Sequence, residues 1–193
     1  MEKLVESIKK KTFVVIDLET TGLNNNPEYG AVDFIIEIGA VKIEKGKITK
    51  KFHSFVACPI PLPKEIEALT GITDKVLRGA PSLNEALIEL QAFCGDCLFV
   101  GHNLKFDLGF LNYYGKEFSI YFDKKYYDTL KLAKEILTGE ISNYKLSTIA
   151  KYFNISFCSH RAIDDAFATA KIFLSLAKTQ AFLGWLSSVK EFD

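Results

Sequence analysis

The segment from Phe13 to Leu23 reads FVVIDLETTGL. Its first half is the apolar, β-branched run of a buried strand, and then two carboxylates follow with one leucine between them. Side chains alternate across a strand with a period of two. Phe13, Val15, Asp17 and Glu19 therefore share one face, and Val14, Ile16 and Leu18 the other. Two acids on one face of a buried strand repel, and each raises the other's pKa unless something compensates. A divalent cation compensates directly, and Mg²⁺ and Mn²⁺ prefer carboxylate oxygens. A frayed strand end in water is the ordinary alternative, so further acids must be found before the pair means anything.

Two more segments supply them. In Gly101–Leu111, GHNLKFDLGFL, the residues Leu104, Leu108 and Leu111 have helical spacing and mark an inward stripe. Asp107 lies on that apolar side, where an isolated charge is costly. A cap or a buried salt bridge is the alternative to a functional role. In His160–Ala170, HRAIDDAFATA, two adjacent aspartates compete. Successive helical residues turn by roughly 100°. Asp164 aligns with Lys171 and Lys178 on the wet face, whereas Asp165 shares its side with Thr169, Ile172 and Leu176. The inward acid is therefore Asp165, and Asp164 is a solvated acid near a helix start, where the dipole favours it. Four acids from three separated segments fit a site for two divalent metal ions, of the kind that clamps the attacking and leaving oxygens in phosphoryl displacement.

The rest of the chain places these motifs in an α/β order. Strands are expected over residues 11–18, 33–43, 47–56 and 97–101, the second and third forming a hairpin around Glu44–Lys47. Residues 24–30, NNNPEYG, read as loop, and 57–63, ACPIPLP, is barred from regular structure by its prolines. Helices are expected at 64–70, 82–94, 104–114, 129–137, 145–152 and 161–180. A meander followed by alternating strands and helices implies a mixed sheet with helices packed on it. The 193 residues suit a single domain, with a core over about 12–178 and a tail over 180–193. That tail carries Phe182, Leu183, Trp185 and Leu186, which either pack on the fold or bind a partner.

Charge and cysteine content exclude rather little. The 24 basic and 24 acidic side chains cancel, which leaves a local basic groove open. Lys9–Lys11 and the lysines between Lys42 and Lys51 read as solvated surface. Cys58, Cys94, Cys97 and Cys158 are expected as free thiols, because Cys94-x-x-Cys97 has no second pair to complete a zinc site. No apolar run is long enough to span a bilayer and none resembles a signal peptide, so a cytoplasmic protein without membrane contact is expected. There is no glycine-rich phosphate loop after the first strand, which argues against a doubly wound nucleotide-binding protein.

Taken together, the three motifs resemble the DEDD exonucleases, in the branch with a histidine before the last aspartate. Asp17 and Glu19 in VVIDLETTGL match the first motif and Asp107 in GHNLKFDLGFL the second. His160 and Asp165 in HRAIDDAFAT match the third. ALTGIT (68–73) and NYKLSTIAKYFNI (143–155) also look like the proofreading exonucleases of bacterial DNA polymerase III, in its epsilon and PolC forms. The resemblance spans roughly residues 12–178.

It implies an RNase H-like fold, a five-stranded mixed sheet flanked by helices. It implies 3′→5′ hydrolysis of single-stranded DNA ends to 5′-mononucleotides with two Mg²⁺ or Mn²⁺ ions. Asp17 would then touch both ions, Glu19 and Asp165 would complete one site, and Asp107 would hold the other, partly through water. His160 would accept a proton from the attacking water, since an imidazole titrates near neutrality. Thr20, Thr21 and Leu23 would meet the terminal nucleotide, with Leu23 wedged against its base. Asn103 and Phe106 would line the same pocket, aromatic faces being stacking platforms for bases. His102 would open the second motif structurally, and His53 receives no role. A replicative DNA polymerase subunit is the partner this family implies. The competing readings are an RNA-trimming exonuclease or oligoribonuclease on the same scaffold, and a non-catalytic nucleic-acid-binding module. Sugar discrimination rests on contacts to the 2′ position, which motifs do not reveal.

Overall fold

The structure, a computed structural model, describes Ile8, residues 10–122 and residues 125–178. The tail over 180–193 and its apolar residues lie outside the described residues. Five strands form one sheet: β1 (Thr12–Thr20), β2 (Ile35–Glu44), β3 (Lys47–Phe55), β4 (Leu98–Gly101) and β5 (Tyr126–Asp128). Their order is β3-β2-β1-β4-β5. β1 runs antiparallel to β2, and β2 to β3, while β4 and β5 run parallel to β1. This is the mixed sheet with flanking helices that the resemblance implies.

The helices are α1 (Lys64–Thr70), α2 (Asp74–Leu77), α3 (Leu83–Cys94), α4 (Lys105–Glu117), α5 (Thr129–Ile136), α6 (Leu146–Tyr152) and α7 (Ala162–Leu176). Several local signals set these boundaries. Ser82 and Glu85 form a reciprocal capping box at the start of α3. Gly71 ends α1 in the left-handed conformation. A 3₁₀ turn (Pro27–Tyr29) is capped by Asn26 within the segment read as loop. Helix α7 stops at Leu176 rather than 180, and β1 runs two residues past 18. The strand β5 and the short α2 were not expected. β5 has only three residues, too few to show a period, and exists because Phe99, Val100 and Gly101 of β4 pair with it.

The two faces of β1 bury into two separate cores. Phe13 and Val15 pack with Leu132 and Ala133 of α5, Ile149 of α6, and Ala166, Ala170 and Phe173 of α7. Val14, Ile16 and Leu18 pack with Leu87 and Leu90 of α3 and Phe110 and Leu111 of α4. Asp17 and Glu19 extend the α7-facing row. The four cysteines form no disulfide. No described helix is long and apolar enough to cross a membrane.

Two features bring the acidic segments together. The β1–β4 pairing ends at Val15 opposite Val100, so β1 outruns its parallel neighbour and its last residues border an open crevice. Crevices beyond the carboxyl ends of parallel strands are where sheets of this kind bind ligands. In addition, Gly39 of β2 abuts the start of α7. A Cβ there would collide with the Ala162 carbonyl and the Ile163 nitrogen. Only a bare backbone lets the helix begin this close to the sheet.

Candidate active site

The acids predicted from three segments meet at the end of β1. Asp17 and Glu19 are half-buried. Asp107 and Asp165 are buried, each less than a tenth exposed. Asp107 belongs to α4 yet reaches the neighbouring strand, where its Oδ1 accepts the Leu18 amide at 3.0 Å. That amide is available because β4 has already ended. Asp165 turns inward from the first turn of α7 while Asp164 stays half-buried at the helix surface. One Asp165 oxygen, Oδ2, accepts the His160 amide at 3.2 Å. The other, Oδ1, is buried without a hydrogen-bond partner. A buried anionic oxygen left unpaired is costly, and a bound cation would satisfy it.

Glu19, His160 and Asp165 each offer a ligand atom, and these lie within 4.8 Å of one another. The two carboxylates are oxygen donors that suit Mg²⁺ or Mn²⁺, and the imidazole stands beside them. The electrostatics agree. Burial and then the charge of Asp165 push Glu19 up to about 8. Burial first, then Asp128 and Glu19, push Asp107 up to about 8 against the opposing pull of its backbone amide bonds. Asp165 rises to about 7, again by burial first, with the His160 amide holding it back. Asp17 is raised well above the carboxylate range by burial and by the charges of Asp107, Asp165 and Glu19. The Asp17 carboxyl thus lies in the field of all three other acids. Without a cation the site must hold protons, and with one it can release them.

His160 is exposed and takes a left-handed backbone, with φ 64°. Its imidazole stands at the rim, where a substrate and solvent can reach it. His102 is different. Its two ring nitrogens lie 3.0 Å from Thr129 Oγ1 and from the Tyr144 carbonyl. Burial lowers its pKa, as suits a neutral structural ring.

The residues expected at the substrate take several stations. The Thr20 hydroxyl donates to the Gly22 carbonyl at 2.6 Å, and the Thr21 hydroxyl lies 3.3 Å from Asp33 Oδ1 and accepts the Phe34 amide at 2.9 Å. Both hydroxyls serve the turn itself. Leu23 is 82% exposed, so the turn presents that side chain and not the threonines. Asn103 is exposed with φ 62°, and its amide is held at 2.9 Å by Asp128. Phe106 is half-buried, edge-on to Phe110 at 5.2 Å, and packs against the α3/α4 core.

Two buried acids escaped the sequence reading. Asp128 ends β5, accepts the Asn103 amide and caps α5 through the Leu130 amide at 3.0 Å. An aspartate just before a helical pattern is an N-cap signal, and could have been found that way. Glu37 lies in the apolar run of β2 with no exposed surface. It carries the same signal as Asp17, an acid in a buried strand.

The fold and the convergence of acids define an α/β protein with an acidic crevice of a kind that suits a divalent cation. The chain belongs to the exonuclease family, whose model matches residues 14–173. Among curated relatives it is 38% identical over 182 residues to the PolC-type DNA polymerase III of Caldanaerobacter subterraneus subsp. tengcongensis, covering 94% of this chain and 12% of that one. It is also 38% identical over 179 residues to the DNA polymerase III subunit epsilon of Aquifex aeolicus, covering 90% of this chain and 84% of that one. This chain therefore spans about an eighth of the PolC-type relatives and most of the epsilon relative. Among solved structures, E. coli exonuclease I in complex with a dT13 oligonucleotide shares the fold with a TM-score of 0.77. That match is 17% identical and covers 91% of this chain and 43% of that one.

Proposed function

We propose that the chain is a 3′→5′ exonuclease that hydrolyses single-stranded DNA ends to 5′-mononucleotides with two Mg²⁺ or Mn²⁺ ions. The observation that carries this reading is the meeting of Glu19, His160 and Asp165 within 4.8 Å, in the field that also raises Asp17 and Asp107. Asp17, Glu19 and Asp165 would hold one ion, and Asp17 and Asp107 the other. Bound there, the ions would neutralise the acids, lower the pKa of the attacking water and stabilise charge on the departing oxygen.

The chain's own groups do the rest. His160 accepts the proton of the water as its oxygen attacks the terminal phosphorus. The bond from phosphorus to the 3′ oxygen of the preceding nucleotide breaks. The shortened strand keeps that oxygen, which takes a proton from solvent to become a hydroxyl, and the released nucleotide keeps the phosphate on its 5′ side. Leu23 and the Asn103–Phe106 segment border the terminal nucleotide. The names of the relatives, a PolC-type DNA polymerase III and a DNA polymerase III subunit epsilon, support work beside a replicative polymerase subunit or joined to one, and the role proposed there is proofreading in the cytoplasm.

The test uses matched 5′-labelled single-stranded DNA and RNA with Mg²⁺ or Mn²⁺. Stepwise shortening from the 3′ end of DNA is expected. Asp165→Asn and His160→Ala lose most of it, by about 10²–10⁴-fold for the general base. Asp164→Asn stays near wild type. RNA shortened faster than DNA would move the assignment to RNA trimming, and metal binding without shortening would leave a binding module.

A further inference from the structure

Among the described residues the exonuclease chemistry leaves two buried acids unused: Asp128, which caps α5, and Glu37. Glu37 of β2 has no exposed surface, and a carboxylate at that depth is costly unless fully partnered. It is fully partnered. Oε1 lies 2.6 Å from His53 Nε2 and accepts an Arg161 guanidinium nitrogen at 3.0 Å. Oε2 accepts the Ala162 amide at 3.0 Å, and Arg161 Nε reaches both oxygens at 3.3 Å. The ring of Phe55 closes this cluster, with the Arg161 guanidinium 5.3 Å above it and the His53 ring edge-on at 4.8 Å.

These contacts come at an electrostatic cost to the acids beside them. The charge of Glu37 helps to raise Asp17, Glu19 and Asp165, and so opposes their ionisation. What it gives in return is a hold on the two residues that follow His160. The His160 amide is bonded to Asp165 on one side, and Arg161 and Ala162 are bonded to Glu37 on the other. A non-glycine residue at φ 64° persists only where its surroundings hold it there.

We propose that Glu37 is a positioning residue: through Arg161 and the Ala162 amide it keeps the His160 backbone left-handed and so holds the imidazole beside Asp165. The catalytic part of this rests on the exonuclease reading. Glutamine has the shape of glutamate but a single acceptor oxygen, and its NH₂ group would face a donor. Glu37→Gln therefore releases either Arg161 or the Ala162 amide without changing volume.

The experiment measures kcat and KM on labelled single-stranded DNA for wild type, Glu37→Gln, His160→Ala and the double variant. Glu37→Gln is expected to lower kcat by about 10–100-fold, as outer-shell partners do, while KM moves by less than about threefold. In the His160→Ala background the same change is expected to cost less than about threefold, because no imidazole remains to be placed. An equal loss in both backgrounds overturns the proposal. Arg161→Ala, at a half-exposed position, carries the same comparison if Glu37→Gln does not fold. A wild type inactive on DNA and RNA defeats the exonuclease reading separately. Crystal structures of wild type and Glu37→Gln then decide the positioning. An altered φ at His160 or an opened His160–Asp165 bond supports it, and an unchanged backbone over residues 158–162 overturns it.

Discussion

Glu19 and Glu37 are direct partners across the β1–β2 ladder, two carboxylates on one side of the sheet. Like charges so placed destabilise a sheet unless each is answered. Arg161, His53 and a backbone amide answer Glu37. Glu19 has Asp165 and Glu37 as its charged neighbours, eased by Arg161, and burial raises it further. One acid of the pair is satisfied by protein, and the other is left buried among like charges.

That asymmetry predicts proton release. With Glu19 and Asp107 near 8 and Asp165 near 7, the metal-free site holds protons at pH 7 that a cation would expel. Titration calorimetry with Mn²⁺ in buffers of different ionisation enthalpy is expected to show release of about one proton or more per chain at pH 7. At pH 9.5, above the values of Glu19, Asp107 and Asp165, the release should be smaller. A release independent of pH would mean that the acids are already ionised.

The same shifts set the pH dependence of stability. These carboxyls have folded pKa values above their unfolded ones, near 4. Between roughly pH 4 and 8 the folded chain binds more protons than the unfolded one, so stability falls as pH rises through that window. The metal-free melting temperature is expected to drop by several degrees from pH 5.5 to pH 8.5. Saturating Mn²⁺ should recover the drop, with a larger shift at pH 8.5 than at pH 5.5. Differential scanning calorimetry with and without chelator measures both.

Gly39→Ala tests the docking of α7. The added methyl meets the backbone of Ala162 and Ile163, and backbone cannot rotate away. Urea unfolding is expected to show a loss of about 1–3 kcal/mol, as for overpacked cores. Activity should fall by more than this loss explains, because the helix start carries Asp165.

Leu23→Ala should separate binding from folding. The side chain is 82% exposed, so stability should change by less than about 0.5 kcal/mol. KM for single-stranded DNA is expected to rise severalfold with the melting temperature unchanged. An unaltered KM would remove Leu23 from the substrate surface.

The amino-acid pattern reveals some of this site and hides the rest for definite reasons. Strand alternation is enough to put Asp17 and Glu19 on one face, and helical phase is enough to choose Asp165 over Asp164. Both are local periodicities. The bond from Asp107 to the Leu18 amide is not local, since it exists only because β4 stops short of β1. The use of the Thr20 and Thr21 hydroxyls inside their own turn depends partly on Asp33, twelve residues away from Thr21. The role of Glu37 needs β1, β3 and α7 all in place before it can be seen. His53, given no role from its strand position, becomes one of the donors to that acid.

The contacts that assemble the crevice join residues 89 and 125 positions apart, from Leu18 to Asp107 and from Glu37 to Ala162. A chain still emerging during synthesis lacks Asp165 until late, and one cut in the middle owns every acid without the contacts that gather them. On the proposed function, cation affinity would thus be a gauge of complete folding.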